Sequence, residues 1–213
     1  MTLHYERDPG AIYAASFATI RAEAPIDRLA PDLQPLAIRL IHACGMVDLI
    51  EDFEASGDVV ACAHSAIEAG KPILCDTKMV ASGIIASRLC GNEIVCTLDD
   101  ERVPGLAIRE GTTRTAAAVE LWRHRVEGAV VVIGNAPTAL FHLLACLDDG
   151  WPKPAAILAF PVGFVGAAES KAELAANPRG VPFATVHGRR GGSAMAAAAV
   201  NAVSAGLVEE TAR

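Results

Sequence analysis

Arg39 and His42 lie three residues apart in a stretch whose apolar residues Leu33, Leu36, Leu40 and Ala43 recur at helical spacing, so a helix puts both side chains on one face. His42 is followed by Ala43-Cys44-Gly45, a natural helix end, which places the imidazole in the last turn. The helix dipole favours a cation there. Histidine titrates near about pH 6.5 in water, so one at this position can give and take a proton. The alternative is a histidine that serves only a local hydrogen bond. Further along, Cys75-Asp76-Thr77-Lys78-Met79 closes a strand and opens a helix. Asp76 and Thr77 are either caps for that helix or part of a polar loop at the carboxyl edge of a sheet.

Three turns combine glycine or asparagine with a helix start: Gly111-Thr112-Thr113-Arg114-Thr115, Gly134-Asn135-Ala136-Pro137-Thr138 and Gly188-Arg189-Arg190-Gly191-Gly192-Ser193. The free N–H groups of a helix start attract anions, and an arginine fork matches a carboxylate. Each reads equally as a plain turn. Taken together, at the ends of strands, they predict a ligand with several negative groups. Arg114, Asn135, Arg189, Arg190, Gly191, Gly192 and Ser193 are the candidate contacts. Asp99-Asp100-Glu101 reads as a solvated loop, and His64, His142 and His187 have no evident partner. Neither G-x-S-x-G, Walker A nor G-x-G-x-x-G is present, which removes the usual starting points for a serine hydrolase or a nucleotide enzyme. Six cysteines form no C-x-x-C pair and match no zinc spacing, so no metal is expected.

These residues need a scaffold, and the pattern supplies an α/β one. Short apolar runs at 73–75, 94–98, 129–133, 155–160 and 183–186 are predicted strands; 129–133 is apolar on both faces, as a central parallel strand is. Helices are predicted at 10–23, from 31–32 to Gly45, from Asp58 to Gly70, and at 77–89, 113–126, 137–148, 167–177 and about 193–207. Strand alternating with helix implies a mostly parallel open sheet covered by helices on both faces, plus an N-terminal helical segment. Residues 1–213 read as a single domain.

Composition narrows the function. The chain has 213 residues, 52% of them hydrophobic, enough for a packed core. Its 18 basic and 25 acidic residues leave a net charge of −7, and aromatics are only 5%, so no nucleic-acid partner is expected. Apolar stretches at 128–147 and 191–208 are broken or too weakly apolar to span a membrane. The N-terminus carries no apolar signal region, and the cysteines lie mostly in apolar runs. A cytoplasmic, reducing location is the expectation.

Longer motifs add a resemblance. Ile41-His42-Ala43-Cys44-Gly45-Met46, the 75–80 and 134–140 segments, Pro161-Val162-Gly163-Phe164-Val165-Gly166-Ala167-Ala168-Glu169-Ser170-Lys171 and Arg189-Arg190-Gly191-Gly192-Ser193-Ala194-Met195 resemble precorrin-8X methylmutase (precorrin isomerase) over nearly the whole chain. The resemblance implies an isomerase of corrin-ring and cobalamin biosynthesis. It would move a methyl group from C-11 to C-12 of the macrocycle by a [1,5]-sigmatropic shift, turning precorrin-8X into hydrogenobyrinate. It further implies His42 as proton donor and acceptor, Ser16 and Arg39 as substrate-binding residues, no coenzyme, and a homodimer. Two other occupations stay open: a non-catalytic corrinoid carrier, and an enzyme whose substrate already holds cobalt, as in the anaerobic pathway.

Overall fold

The computed structural model describes residues 3–205. A six-stranded sheet runs through it in the order β1-β6-β5-β4-β2-β3. The strands are β1 (Phe53–Ala55), β2 (Ile73–Cys75), β3 (Ile94–Val95), β4 (Val130–Ile133), β5 (Ala156–Ala159) and β6 (Phe183–Val186). All pairings are parallel except β1 with β6, which is antiparallel with Phe53 opposite Val186. The four central strands β2, β4, β5 and β6 are fully buried, which is why their sequences are continuous apolar runs. Alternate residues feed two cores. Val130, Val132 and Leu158 pack on one face; Val131, Ile133 and Ile157 pack on the other.

One face carries α1 (Pro9–Glu23), α2 (Gln34–Cys44), α3 (Val59–Glu68), α4 (Lys78–Gly83) and α9 (Ser193–Val203). The other carries α7 (Pro137–Asp148) and α8 (Ala167–Ala176). The short helices α5 (Val103–Arg109) and α6 (Arg114–Val119) add a small cluster of their own at one side. The alanine-rich α9 lies against α2 and α4. Close packing explains its composition. A Cβ on Gly83 would stand 2.6 Å from the Ala197 Cβ, so larger residues at either position would force the two helices apart.

Several elements differ from the sequence expectation, each for a local reason. The helix predicted at 77–89 stops at Gly83. Asn201 takes over there, its Oδ1 accepting from the Ile85 N–H at 2.8 Å and its Nδ2 donating to the Gly83 carbonyl at 3.0 Å. The helix predicted at 113–126 ends at Val119 and tightens into a 3₁₀ turn at Glu120–Trp122. There the buried Trp122 indole donates to Thr97 Oγ1 at 2.9 Å. The strand predicted at 94–98 is only two residues long, whereas β1 and α5 were not expected. The last part of the predicted 193–207 helix lies outside the described residues. Burial raises the Cys75 thiol strongly and pushes Cys146 up to about 12.

The order of strands reverses between β2 and β4, the place where open α/β sheets usually present their ligand crevice. Here that place is filled. The buried Asp76 carboxylate, just past β2, accepts the N–H groups of Gly134, Asn135 and Ala136 at 3.1, 2.9 and 2.9 Å. A Cβ on Gly134 would meet Ala196 Cβ and Val80 Cγ2 at 2.7 Å and Ser193 Cα at 2.8 Å, so the crevice is packed shut. Burial raises the Asp76 carboxyl, and the three donors pull it back down. Replacing Asp76 with alanine leaves three donors without their acceptor. Each orphaned donor costs roughly 1–3 kcal/mol, so the loss should be at least about 3 kcal/mol, read from urea unfolding.

Candidate active site

The polar side chains that converge lie on α1 and α2, not at the sheet crevice. Asp8 caps α1, its Oδ1 accepting the Ala11 N–H at 2.6 Å, and Pro9 opens the helix. Along α1, Tyr13, Ser16 and Phe17 are spaced three and four apart and share the face that meets α2. On α2, Leu36, Leu40 and Ile41 are buried, which turns Arg39 and His42 toward the rim. Gly45 ends the helix in the left-handed conformation at φ 71°, its N–H closing on the Ile41 carbonyl at 2.7 Å.

Ser16 Oγ and His42 Nδ1 are 2.8 Å apart. The Tyr13 and Phe17 rings both stand 5.4 Å from the imidazole, Phe17 edge-on. The Arg39 guanidinium lies 5.8 Å from the Tyr13 ring centre and 5.4 Å from that of Phe17, within cation–π range. As the imidazolium, His42 donates Nδ1–H to Ser16 Oγ and holds its second proton on Nε2, away from α1. His42 is exposed, so that nitrogen can reach a ligand. The arrangement holds one imidazole edge-on and wedged between aromatics, beside a cation able to take a carboxylate. The structure thus brings Ser16, Arg39 and His42 together. Tyr13 and Phe17 were missed from sequence, though their spacing around Ser16 was the available signal.

The three predicted anion cradles are largely satisfied from within. The 134–136 turn holds Asp76, so Asp76 is a structural anchor and not a ligand contact; Thr77 beside it is buried. Only the Asn135 side chain of that turn is exposed. The 111–115 turn joins two helices, α5 and α6, and does not follow a strand. Thr113 caps α6 with its own side chain, accepting from the Ala116 N–H at 3.2 Å. Arg114 reaches weakly toward Asp99, with 3.4 Å between Nη2 and Oδ1. In the third turn a Cβ on Gly191 would sit 2.3 Å from the Phe160 carbonyl oxygen, and the Gly192 N–H donates to that same oxygen at 2.8 Å. Gly191 and Gly192 therefore serve the backbone of the neighbouring strand end. Ser193 is buried at the first position of α9.

The two arginines of that turn part company. Arg190 spans the acidic segment after α2, donating to Asp48 Oδ2 at 2.8 Å and also to Asp52. Its carbonyl accepts from Lys171 Nζ at 2.6 Å. Arg189 is exposed and stacks on Phe164, 5.2 Å from the ring centre. These groups frame a cleft of about 290 Å³ lined by Met46, Val162, Gly163, Phe164, Arg189, Arg190 and Gly191. Met46 is the first residue past the Gly45 cap, so the cleft adjoins the end of the helix that carries His42. Its walls are apolar with a cationic rim, suited to a flat apolar ligand fringed by acids.

Lys171 is fully buried, and burial brings its ammonium down to about 8, with Asp52 pulling the other way. An unfolded lysine titrates near about 10.4. Between the two values the unfolded chain binds more protons than the folded one, so stability rises with pH in that window. Lys171→Met removes the slope. The melting temperature of the parent chain should therefore gain on the variant from about pH 8 to about pH 10.

Comparison with known proteins supplies the context. The precorrin-8X methylmutase family model matches residues 11–205. The precorrin-8X methylmutase of Pseudomonas aeruginosa is 60% identical over 203 residues, covering 95% of this chain and 98% of that one. The cobalt-precorrin-8 methylmutase of Priestia megaterium is 36% identical, covering 92% and 87%. The crystal structure of the precorrin-8X methylmutase from Thermus thermophilus superposes with a TM-score of 0.82 at 36% identity, covering 91% of this chain and 94% of that one.

Proposed function

This chain belongs to the precorrin-8X methylmutase family, the isomerases that convert precorrin-8X to hydrogenobyrinate, and we propose that His42 is the group through which it performs that intramolecular methyl transfer. The observation that carries the reading is the Ser16–His42 hydrogen bond at 2.8 Å, which fixes the imidazole and leaves the opposite nitrogen for the ring. Protonating a ring nitrogen makes the macrocycle electron-poor and lowers the barrier to a [1,5] shift of methyl from C-11 to C-12. After migration the ring nitrogen returns the proton to His42 Nε2, so no net acid is consumed. A positioned acid of matched pKa contributes about a hundredfold or more.

Arg39 pairs with a peripheral carboxylate, and Arg189 at the rim of the Met46–Phe164 cleft takes a second. Asn135, the exposed side chain of the Asp76-bound turn, and the weakly paired Arg114 are further polar contacts for the ligand's edge. Ser16 acts by orienting the imidazole. Arg190 positions the turn. The metal-free macrocycle is the proposed substrate, because identity to the precorrin-8X methylmutase of Pseudomonas aeruginosa far exceeds that to the cobalt-precorrin-8 methylmutase of Priestia megaterium.

We propose further that the chain works as one domain, in the cytoplasm, as a homodimer. Exposed apolar side chains on the loop after β5, Phe164 at 83% and Val165 at 89%, support a partner surface. All six cysteines are free, as a reducing compartment would keep them, and no helix among the described residues is long and apolar enough to cross a membrane.

Conversion of precorrin-8X followed by visible absorption tests the reading. His42→Ala should lose turnover by about a hundredfold or more while still binding product, and Ser16→Ala should lose less. The parent chain should turn over metal-free substrate faster than its cobalt form. Near-normal turnover by His42→Ala removes the assignment.

A further inference from the structure

A second cluster of reactive side chains lies on the other side of the sheet. His142 and Cys146 are four residues apart on α7, so both point the same way. Glu120 comes to meet them from the 3₁₀ turn that ends α6. Its Oε1 is 2.6 Å from His142 Nε2 and 3.9 Å from Cys146 Sγ, and the three donor atoms all lie within 4.8 Å of one another. We propose that Glu120, His142 and Cys146 bind a borderline divalent cation of the Zn²⁺ type, with a fourth position left to water.

The donor set is the one such an ion prefers: one thiolate, one imidazole and one carboxylate. Bond lengths of 2.0–2.3 Å put tetrahedral donors about 3.3–3.7 Å apart, so each atom needs to shift by only about 1 Å. Glu120 and His142 are partly exposed and can make that shift; Cys146 is buried and supplies the fixed end. Access exists, because His142 lines a surface cleft of about 280 Å³ with Thr112, Ala116, Thr138 and Phe141. The nearby charges favour a cation on balance, Glu120 and Asp149 against Arg123. On binding, the Cys146 thiol proton passes to water as the sulfur–metal bond forms. His142 gives up its Nε2 proton to water and carries its remaining proton on Nδ1, taken up from water where the ring was neutral; Nε2 then coordinates, and Glu120, released from that hydrogen bond, takes the metal. Nothing is oxidised or reduced. The bound ion would clamp the end of α6 to α7, the helix whose N-cap residue Ala136 donates to Asp76. His42 has no part in this site, so the inference stands apart from the catalytic assignment.

The test uses the full chain, stripped by chelator and titrated with Zn²⁺ by calorimetry and with Co²⁺ by absorption. The expected result is one equivalent bound, a thiolate-to-cobalt charge-transfer band, and a higher melting temperature with Zn²⁺. Cys146→Ser should abolish the band, and Cys146→Ser and His142→Gln should each weaken binding by about tenfold or more, since outer partners alone are worth that much. Cys90→Ser, at the exposed cysteine, should change neither. Absence of saturable one-equivalent binding overturns the proposal. So does binding that survives both Cys146→Ser and His142→Gln, or that is lost in Cys90→Ser.

Discussion

The Asp76 carboxylate is the point on which the architecture turns. It closes the gap between β2 and β4 by accepting three consecutive N–H groups, a role that in many open α/β sheets is left for a phosphate or another bound anion. With Val80, Ser193 and Ala196 pressed against Gly134, no ligand can enter there. A protein of this fold that handles a large multi-anionic ring must then do so elsewhere. The available place is the rim where α1 meets α2 and where the 188–192 turn meets the loop after β5. That displacement fits the placement of His42, the proposed proton donor, on the helices of the N-terminal segment, an addition to the sheet's own covering.

The rim depends on charge held in a second layer. Arg190 joins Asp48 and Asp52 to its turn, and Lys171 reaches from α8 to the Arg190 carbonyl. Gly163 donates to the Arg189 carbonyl at 3.2 Å, so the two loops that frame the cleft are stitched backbone to backbone. In an acidic chain this arrangement consumes one arginine of the pair internally and leaves the other exposed, stacked on Phe164. Adjacent residues of one type thus take opposite roles because one faces the acidic 48–52 segment and its neighbour faces solvent.

What could be read from sequence follows the range of the interactions involved. The central strands were legible because burial on both faces writes itself into a run such as Val130-Val131-Val132-Ile133. The Arg39–His42 pair was legible because three-residue spacing on a helix is a local fact. The lengths of α4 and α6 were not, since Asn201 and Thr97 act on them from distant parts of the chain. The 134–136 cradle was misread for the same reason. A turn rich in free N–H groups looks alike whether its anion is a ligand or, as at 134–136, a carboxylate 58 residues upstream. β1 escaped notice because three residues, one of them Glu54, make no pattern, and only pairing with β6 defines them.

Of the residues of α1, Ile20 alone is buried. The helix that presents Ser16, Tyr13 and Phe17 to His42 is therefore moored near one end, with most of its length in contact with solvent. Elements with so little buried area open at free energies far below that of the whole fold. The imidazole thus sits on a rigid helix while its orienting hydroxyl sits on a loosely moored one. A ligand that covers α1 would order the helix that orients His42 along with making its own contacts, so binding and the setting of the imidazole become thermodynamically coupled through a helix that meets the core at Phe17 and Ile20.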